Sequence, residues 1–444
     1  MRLRSDARGS LAAALAFVAL AACTSSSSSG TATISSPPPS STTAASPSGG
    51  PSGGQAVGST LNALAPAGGS FLVHGAYPTE PSRCKHAKPP RLLARYPGKL
   101  TIARAGDGTL GVTVTLPFES YLEGLAEVPS SWPMAAMEAQ AIAARSYALA
   151  ETGWHGPAGG TLANPICATT SCQVYGGIPV PFLNTTPRWY AAVHRTAGQV
   201  LMFGDRPADT VYFSTSNGHT YGNDQVFGSD PLPYLRPVPE HDDGASPESH
   251  WTVPIPFADL ARFLHAGGNW PAARITSATV SGSSVTLSGG GAHETLPLST
   301  VRDDVNAWSE CLAPSRYPPD GWNGVQLAET IPSSWMTASA TPSALVIRGR
   351  GWGHGVGMVQ WGAYGKAKRG LSAARILAYY YGGLTPTAYP EPGLIHVRVA
   401  SGLTSLTLRP SGTGGSIDGA RIGRGPVVIT GGSTITVAGA GPAA

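Results

Sequence analysis

The chain has few charged residues and few cysteines, and both shortages limit the classes of function that the protein can have. Only 12% of its 444 residues are charged, and the formal net charge at pH 7 is +4. Apart from Lys366, Lys368 and Arg369 no dense run of basic residues occurs, so nucleic-acid binding has little electrostatic support. A weakly basic surface would still suit an acidic polymer.

The first 23 residues predict an export signal rather than part of the fold. Arg2, Arg4 and Arg8 precede the apolar run LAAALAFVALAA. Roughly a dozen apolar residues is short for a membrane span, which needs about 20. The run ends in Leu-Ala-Ala-Cys, which resembles the lipobox of bacterial lipoproteins and implies cleavage before Cys23 and lipid attachment to its thiol. The alternative is an ordinary secretory signal with a chance cysteine.

Residues 24–64 predict a disordered linker. No Asp, Glu, Lys or Arg occurs from Thr24 to Thr79, and Ser, Pro, Gly and Thr dominate up to about residue 60. Such a segment cannot bury enough apolar surface to fold, so it would act as a flexible tether. We therefore expect the globular part to begin at residue 65.

Four cysteines remain after Cys23, and outside the cytoplasm an even set suggests disulfides. Three pairings are possible. We favour Cys167 with Cys172, which closes a short loop, and Cys84 with Cys311. Zinc is the rival ligand for Cys167 and Cys172, with His155 as a further candidate, although no nearby CxxC or HxxxH partner supports a metal site.

Residues 65–388 predict one mixed α+β domain of short strands with a few helices. FESYLEGLAEV (118–128) has apolar residues at helical spacing and should end at Pro129. A second, alanine-rich helix should begin at Pro133. ALVIRG predicts a strand that feeds a glycine-rich loop, and SAARILAYYYGG predicts a helix. Short Val/Ile/Thr segments in 389–444 predict a small C-terminal β appendage.

Glu127 is the candidate catalytic acid. Its expected place at the C-terminal end of a helix, where the local potential is negative, disfavours the ionised carboxylate. Apolar neighbours such as Val128 and Trp132 would raise its pKa further by desolvation. A carboxyl group that stays partly protonated near neutral pH can protonate a glycosidic oxygen. The alternative is an ordinary surface or capping glutamate.

Arg145 lies within the alanine-rich face of the second helix and needs a partner, because an unpaired buried guanidinium is costly. A tight pair with Glu127 would keep that acid ionised. We therefore expect Arg145 to orient the carboxylate loosely or to bind substrate. A salt bridge with Glu151 or Glu138 is the alternative.

Further polar and aromatic side chains could contact a sugar. Alternating glycines around Trp352 and His354 would let the backbone approach a ligand, although a structural turn with a core tryptophan is the alternative. The candidates for substrate binding, besides Arg145, are Gln140, Tyr147, Ser216, His219, Trp352, His354 and Gln360. Ser216 with His219 as its base would make an acyl hydrolase, but no GxSxG elbow surrounds Ser216.

Four segments resemble the stage II sporulation protein D (SpoIID/LytB) family of bacterial cell-wall proteins. They are LPFESYLEGLAEVPSSWPMAAMEAQAIAARSYAL, CQVYGG, YFSTSNGHTYGNDQVFG with PYLRPV after it, and GRGWGHGVGMVQWGAYGKAKRGLSAARILAYYYGG. The resemblance implies an extracytoplasmic lytic transglycosylase that acts on peptidoglycan strands without a cofactor. The family's catalytic glutamate falls on Glu127 and its arginine on Arg145. Two positions depart from the family pattern: a lysine is replaced by Glu138 and a glutamate by Ala135. Some members of the family carry zinc through Cys and His. The cysteine at position 172, in place of a histidine, favours a disulfide here.

A single well-placed carboxylate also favours this chemistry. Glycosidases generally use two, whereas in a lytic transglycosylase the 6-hydroxyl of N-acetylmuramic acid attacks its own anomeric carbon. A hydrolytic muramidase would recruit a second acid, such as Asp209, Asp224 or Asp230. The other alternative is a non-catalytic amidase enhancer or peptidoglycan-binding protein, with a cell-wall amidase as its partner.

Overall fold

The computed structural model describes residues 55–66, 68–76, 91–162, 164–169, 171–177, 187–317, 330–412 and 414–439. The expected signal, the lipidation site at Cys23, most of the expected linker and Cys84 lie outside these ranges. Those expectations therefore stay predictions.

Eight α-helices lie in the described part of the chain. They are α1 (Phe118–Glu123), α2 (Met134–Glu151), α3 (Pro187–Arg195), α4 (Asn223–Phe227), α5 (Phe257–Ala266), α6 (Leu298–Leu312), α7 (Gln360–Lys368) and α8 (Ala373–Tyr380). Among these helices none combines the length and the apolar character that a membrane span requires.

The strands fall into three groups along the chain. The first is β1 (Gln55–Val57), β2 (Thr60–Leu64), β3 (Ser70–Ala76), β4 (Arg91–Pro97), β5 (Lys99–Arg104) and β6 (Leu110–Pro117). The second is β7 (Ile166–Cys167), β8 (Gln199–Phe203), β9 (Arg206–Pro207), β10 (Tyr212–Phe213), β11 (Trp251–Pro256), β12 (Ser277–Ser281), β13 (Ser284–Gly289), β14 (Ala292–Pro297), β15 (Met336–Ala340), β16 (Ala344–Gly349), β17 (Met358–Val359) and β18 (Pro386–Ala388). The third is β19 (Leu394–Leu403), β20 (Ser405–Pro410), β21 (Gly415–Ile417), β22 (Ala420–Ile422), β23 (Val427–Thr430) and β24 (Ile435–Ala438). With eight helices beside them, they make the α+β fold that the sequence predicts.

The first and last groups of strands form two sheets together. One has six strands in the order β1-β24-β23-β20-β3-β4, and the other has seven in the order β22-β21-β2-β5-β6-β19-β7. The predicted C-terminal strands are thus present, but they complete sheets begun by residues 55–117 instead of standing apart as an appendage. The last part of the predicted linker also belongs to the fold, since β2 pairs with β5.

Strict alternation explains how these sheets form a core. In β6 the side chains of Leu110, Val112, Val114 and Leu116 are buried, while Thr113 and Thr115 face outward. Period-two alternation is what a half-buried strand requires. The inner faces of both sheets contribute to one hydrophobic cluster, which also takes in α2 and α8.

Helix α2 is the centre of that cluster. Thirteen of its eighteen residues are buried, including every residue from Ala139 to Leu149. A helix that is apolar on all sides is typical of a buried one, and its alanines allow α3, α7, α8 and β8 to approach it. The helix begins directly after Pro133, as the sequence predicts.

A second hydrophobic cluster lies in residues 251–347. It joins α5 and α6 to the sheet of β11, β16 and β15 and to the β12–β14 meander. Ile255, Phe263, Val301 and Ile347 are fully buried in it. The residues of the candidate site belong instead to the first cluster or border it.

Candidate active site

Glu127 lies in the loop between α1 and α2. Helix α1 ends at Glu123 with Gly124 as its cap, so it does not continue to Pro129 as the sequence predicts. Glu127 is therefore not a helix-end residue, and that part of the argument for a raised pKa is wrong. The loop is held instead by a bridge between Leu125 and Tyr175 and by the N–H of Ala126, which donates to the carbonyl of Val174 at 2.9 Å.

Burial alone raises the pKa of Glu127. The residue is 8% exposed, and its Oε1 accepts a hydrogen bond from the backbone N–H of Val174 at 2.8 Å. The hydroxyl of Tyr212 and the side chain of Gln360 donate to the carboxylate as well. Desolvation outweighs these three bonds and raises the pKa of Glu127 from 4.5 to about 7. At neutral pH this group can both give and take a proton.

Two donors reach Glu127 because β10 and β17 pair in parallel. Tyr212 of β10 lies opposite Met358 of β17, and α7 begins two residues later at Gln360. The pairing thus brings side chains about 150 residues apart in sequence to one carboxylate. The sequence identified Gln360 but gave no reason to select Tyr212.

A buried amide orients Tyr212. The Gln173 side-chain Nε2 donates to the Tyr212 hydroxyl at 2.9 Å and to the carbonyl of Ala144 at 3.1 Å. Its Oε1 accepts from the hydroxyl of Tyr121 at 2.7 Å. With its oxygen occupied by the Gln173 N–H, the Tyr212 hydroxyl is left to donate its proton to Glu127. Gln173 lies in the CQVYGG segment, which is one of the four segments that resemble the SpoIID family. Gln173 itself was not among the predicted site residues.

Gln140 and Gln360 touch each other beside Glu127. The Gln360 Nε2 is 3.4 Å from both the Gln140 Oε1 and the backbone carbonyl of Glu127. Both side chains are buried, and the Gln140 Nε2 has no hydrogen-bond partner within the described ranges. A buried donor left unpaired is unusual. The Gln140 Nε2 is thus a donor without a partner in this part of the structure, and its contact with a substrate stays a prediction.

Arg145 does not contact Glu127. It is fully buried, and its guanidinium pairs with Glu119 at 2.9 Å and Glu391 at 2.5 Å. It also donates to the carbonyl of Val193 and the hydroxyl of Thr196. The structure therefore contradicts the expectation that Arg145 orients Glu127 or binds substrate, because its donors are occupied inside the core. The alternative pairs with Glu151 or Glu138 are absent from its contacts too.

Tyr147 lies next to Tyr212. Their rings meet edge to face with centroids 6.5 Å apart. Burial, followed by the negative charges of Glu151, Asp209 and Glu127, raises the pKa of the Tyr147 hydroxyl far above its usual range. Tyr147 therefore stays a neutral hydroxyl group, and its contact with a substrate remains a prediction.

The glycine-rich loop places Trp352 in the interior. Trp352 is fully buried, and its backbone exchanges two hydrogen bonds with Thr215 at 2.8 and 3.0 Å. The expectation that Trp352 offers a face to a sugar is contradicted, and the alternative of a core tryptophan holds.

His354 is a half-buried neutral side chain. Its Nε2 lies 3.0 Å from the carbonyl of Tyr212, and its Nδ1 accepts from the N–H of Val356 at 3.1 Å. This pattern requires the proton on Nε2. Burial lowers the pKa of His354 to about 4. His354 therefore supports the backbone of Tyr212 and carries no charge at neutral pH.

Ser216 and His219 do not form a nucleophile and base. The Ser216 hydroxyl donates to Asp243 at 2.7 Å, and the Ser216 N–H donates to the same oxygen at 2.7 Å. His219 is exposed and packs against the ring of Tyr221, with centroids 4.5 Å apart. Ser216 is buried in a turn and unavailable to substrate, so that binding prediction is contradicted. The predicted contact of His219 with a substrate stays a prediction.

A row of aromatic rings runs from His219 to Phe227, and the sequence missed most of it. It borders the site at His354, whose Nε2 bonds the carbonyl of Tyr212. Successive ring centroids lie 4.5 to 6.3 Å apart, in the order His219, Tyr221, Trp335, Phe213, His354 and Phe227. We call this set the aromatic row. Its ends, His219 and Phe227, are exposed, and Tyr221, Trp335 and His354 are half-buried. Gly355, at φ +89°, lets Tyr221 and Trp335 close over the loop, because a Cβ there would lie 2.8 Å from both.

The three candidate second acids differ in their surroundings. Asp224 is paired with Arg236 at 2.6 Å, which lowers its pKa. Asp230 is exposed. One oxygen of Asp209 is buried with no partner among the residues described, and burial, then the charge of Glu151, raises the pKa of Asp209 to about 6. Asp209 thus has the raised pKa of a proton donor.

Cys167 and Cys172 form a disulfide with an S–S distance of 2.06 Å, which confirms the predicted pair. Oxidised sulfurs are not thiolate ligands, so zinc at these two cysteines is contradicted. Across the described ranges no group of three or more His, Cys, Asp or Glu side chains could hold a metal ion. Cys311 is also disulfide-bonded. Since Cys84 lies outside the described residues, its pairing with Cys311 stays a prediction.

Comparison with known proteins finds a family similar to the segment that holds Glu127. Residues 106–203 match the family model described as Stage II sporulation protein, SpoIID. The matched segment holds Glu127, Gln173 and the disulfide, whereas Tyr212 and Gln360 come after it in the chain. This part of the chain is therefore similar to the SpoIID family.

Three relatives are similar over much of the chain. The amidase enhancer of Bacillus subtilis is 28% identical over 296 residues, which cover 59% of this chain and 39% of the relative. Stage II sporulation protein D of Bacillus subtilis is 26% identical over 292 residues, 60% of this chain and 74% of the relative. An uncharacterised protein of Brachyspira hyodysenteriae is 28% identical over 298 residues, 66% and 73% of the two chains. The match spans about two fifths of the amidase enhancer and about three quarters of the other two.

Proposed function

We propose that this chain is an extracytoplasmic lytic transglycosylase that cleaves the bond between N-acetylmuramic acid and N-acetylglucosamine in peptidoglycan. The observation that carries the proposal is the state of Glu127: a buried carboxyl group with three hydrogen-bond donors and a pKa near 7. No second carboxylate is among the groups that shift this pKa. That is the arrangement expected of one residue that acts as both acid and base.

The reaction needs only one proton carrier. Protonated Glu127 gives its proton to the glycosidic oxygen as the bond from the anomeric carbon of N-acetylmuramic acid breaks. The 6-hydroxyl of the same sugar then bonds to that carbon and releases its proton to Glu127. The product is a 1,6-anhydro sugar, no water is consumed, and the acid returns to its starting state. The hydroxyl group replaces an external nucleophile because it is held in the same ring.

The donors around Glu127 fit both halves of this cycle. After the first transfer the carboxylate is negative, and Val174, Tyr212 and Gln360 all donate to it. Hydrogen bonds already in place stabilise the charge without reorganisation. The unpaired Gln140 Nε2 would hold a substrate oxygen, and the exposed members of the aromatic row would stack on neighbouring sugars.

The proposed location is outside the cytoplasm. The Cys167–Cys172 disulfide supports it, because disulfides persist in oxidising compartments. An anchor through a lipid on Cys23 remains a prediction from the signal segment.

A non-catalytic amidase enhancer is the second candidate, because a relative bears that name. The two candidate functions can be distinguished by mass spectrometry. The substrate is glycan strands stripped of stem peptides and incubated with the full chain. The proposal expects 1,6-anhydro ends from the wild type and none from Glu127→Gln. A matched control, Glu123→Gln, changes a glutamate four residues away that pairs with His194 at 2.7 Å and should remain active.

Each other product pattern contradicts the proposal. Reducing ends in place of anhydro ends would indicate hydrolysis, with Asp209 as the first residue to test. No new ends, together with faster cleavage by an added wall amidase, would indicate an enhancer. Full activity in Glu127→Gln would remove Glu127 from the mechanism.

A further inference from the structure

The charge of this chain is divided between two parts of the fold. Residues 55–117 and 394–439, which hold the two large sheets, contain eleven Lys and Arg but only three Asp and Glu. Residues 118–393, which hold Glu127, contain fifteen Lys and Arg and twenty-one Asp and Glu. These two segments of the sequence are therefore basic, and the segment between them is acidic. The modest net charge of +4 conceals this asymmetry.

Three basic side chains of the seven-stranded sheet share its outer face. Lys99, Arg398 and Arg421 are exposed, and each alternates with buried neighbours that face the core. Lys99 lies opposite Thr115, and Arg398 lies opposite Thr113. With strands about 4.8 Å apart, the three cationic residues are spread over roughly 10 to 25 Å of one surface.

Hydroxyl groups fill the space between these cations. Thr101 and Thr113 face each other across β5 and β6, and the Thr115 hydroxyl is 2.8 Å from the ring of His396. Leu64 is a large apolar side chain on this face and is 52% exposed. The face is thus flat, basic and rich in hydroxyl groups.

Of the described acidic residues of these segments, Asp107 lies at the end of a strand pair, whereas Asp418 borders the face, because it contacts the side chain of Asn62, which also accepts from the Thr101 hydroxyl. Asp107 and Asp418 occupy hairpin turns, where they accept hydrogen bonds from Thr109 and Asn62. The third acid, Glu80, lies outside the described residues. Within the described strands of this sheet no carboxylate neutralises Lys99, Arg398 or Arg421.

We propose that this outer face binds a linear anionic polymer with repeated phosphodiester groups, of the kind attached to a bacterial wall. Arg and Lys pair with phosphate oxygens, and threonine hydroxyls donate to them. An extended flat face suits a chain-like partner better than a compact ligand. The binding would place the acidic, Glu127-bearing part of the fold beside the wall without using the active site.

A membrane surface fits this face less well. Interfacial membrane binding draws on large apolar or aromatic anchors beside the basic residues. This face presents Leu64 and Leu394, which are 52% and 38% exposed, but no exposed aromatic side chain among the residues named above. We therefore favour the polymer, and vesicles become a control in the test.

The test measures equilibrium binding of the full chain to isolated cell walls that carry a phosphodiester polymer. The same walls after hydrofluoric acid extraction, which removes phosphodiesters, serve as the comparison. Glu127→Gln is present throughout so that the glycan stays intact. The test variant is Lys99→Glu/Arg398→Glu/Arg421→Glu. The matched control is Arg274→Glu/Lys368→Glu/Arg375→Glu, which makes the same charge change at exposed residues outside the two sheets.

The proposal expects the test variant to bind intact walls at least about tenfold more weakly than the control. Binding should also fall with salt, with a shallower dependence in the test variant. Thermal melting of both variants establishes that they remain folded. Equal affinity for extracted and intact walls would overturn the proposal, as would equal loss in both variants. Tight binding to phosphatidylglycerol vesicles but not to intact walls would overturn it in favour of a membrane surface. None of these outcomes depends on catalysis, so they do not bear on Glu127.

Discussion

The hydroxyl of Tyr212 donates a hydrogen bond to the carboxylate of Glu127. The same tyrosine accepts from the Gln173 amide at its hydroxyl and from His354 at its backbone carbonyl. Tyr212 thus couples the loop that bears the acid to the strand and the glycine-rich loop that come later in the chain. Because the Tyr212 oxygen already accepts a hydrogen bond from Gln173, its hydroxyl proton is directed toward Glu127.

Tyr212→Phe should raise the pKa of Glu127 above about 7. The variant removes a donor that stabilises the ionised carboxylate, while the desolvation that opposes ionisation remains. A hydrogen bond to a charged group contributes about 1.5 kcal/mol or more, which corresponds to about one pH unit. We expect the alkaline limb of the kcat/KM profile to move to higher pH by about one unit.

Tyr147→Phe is the matched control for that experiment. It removes a hydroxyl from the ring that packs edge to face against Tyr212, but this hydroxyl is not among the donors to Glu127. The limb should stay in place in this variant even if KM changes. If the alkaline limb of the kcat/KM profile does not shift in Tyr212→Phe, that limb does not reflect the ionisation of Glu127.

Glu127 should also make the folded protein less stable as the pH rises. Its pKa is about 7 when folded and near 4.5 when unfolded, so the folded state binds more protons between these values. The stabilisation is fully present below pH 4.5 and is lost as the pH rises through about 7. At about 1.4 kcal/mol per pH unit, the wild type should lose on the order of 3 kcal/mol relative to Glu127→Gln.

Urea unfolding of both proteins at pH 5 and pH 8 measures this difference. Glu138→Gln serves as the control, because that side chain lies 3.7 Å from Arg195 at the surface, and its stability should follow the wild type. Parallel pH dependence in the wild type and Glu127→Gln would mean that the Glu127 carboxyl group is solvated in solution.

Arg145→Met should destabilise the fold without removing Glu127 chemistry. The substitution leaves Glu119 and Glu391 without their buried partner, and breaking such a network costs about 3 kcal/mol. Denaturant unfolding should show this loss, whereas Arg195→Met, at a side chain 62% exposed, should change stability little. Activity per folded molecule should be retained. A stable but inactive Arg145→Met would return Arg145 to the active site.

The sequence predicts the acid but not its surroundings, and the reasons are physical. Glu127, the α2 helix and the Cys167–Cys172 pair depend on local signals such as Pro133 and a short loop. Tyr212 and Gln173 reach Glu127 through strand pairing between distant segments, which no local pattern records. For Arg145 the sequence correctly indicates that a buried arginine needs a carboxylate partner. The partners are Glu119 and Glu391, which are distant in sequence and cannot be identified from spacing. The C-terminal strands were recognised as strands, whereas their pairing with residues 55–117 has no sequence signal.

Phe227→Ala tests whether the aromatic row holds sugar rings. Phe227 is 48% exposed and packs on His354, so its removal should disturb the core little. Aromatic contacts contribute about 0.5 to 1.5 kcal/mol beyond area burial, and we expect KM to rise about fivefold with kcat nearly unchanged. Phe203→Ala removes a similarly exposed ring, 45% exposed and packed on Tyr234, and should leave KM unchanged. Equal effects in both variants would argue against a specific role for the row.

The Cys167–Cys172 disulfide should matter for activity because it adjoins two residues that contact the site. Gln173 and Val174 come directly after Cys172, and they respectively orient Tyr212 and donate to Glu127. Cys167→Ala/Cys172→Ala removes a short covalent loop, with an expected stability loss of about 2 kcal/mol. We expect a larger fractional loss of kcat than of folded protein, measured by anhydro-sugar release and by thermal melting. Treatment with a reductant should lower wild-type activity more than that of the double variant, which retains only the disulfide at Cys311. If both proteins keep wild-type kcat after reduction, the 167–174 segment is held at Glu127 by its backbone contacts alone, since the N–H of Ala126 also donates to the carbonyl of Val174 at 2.9 Å.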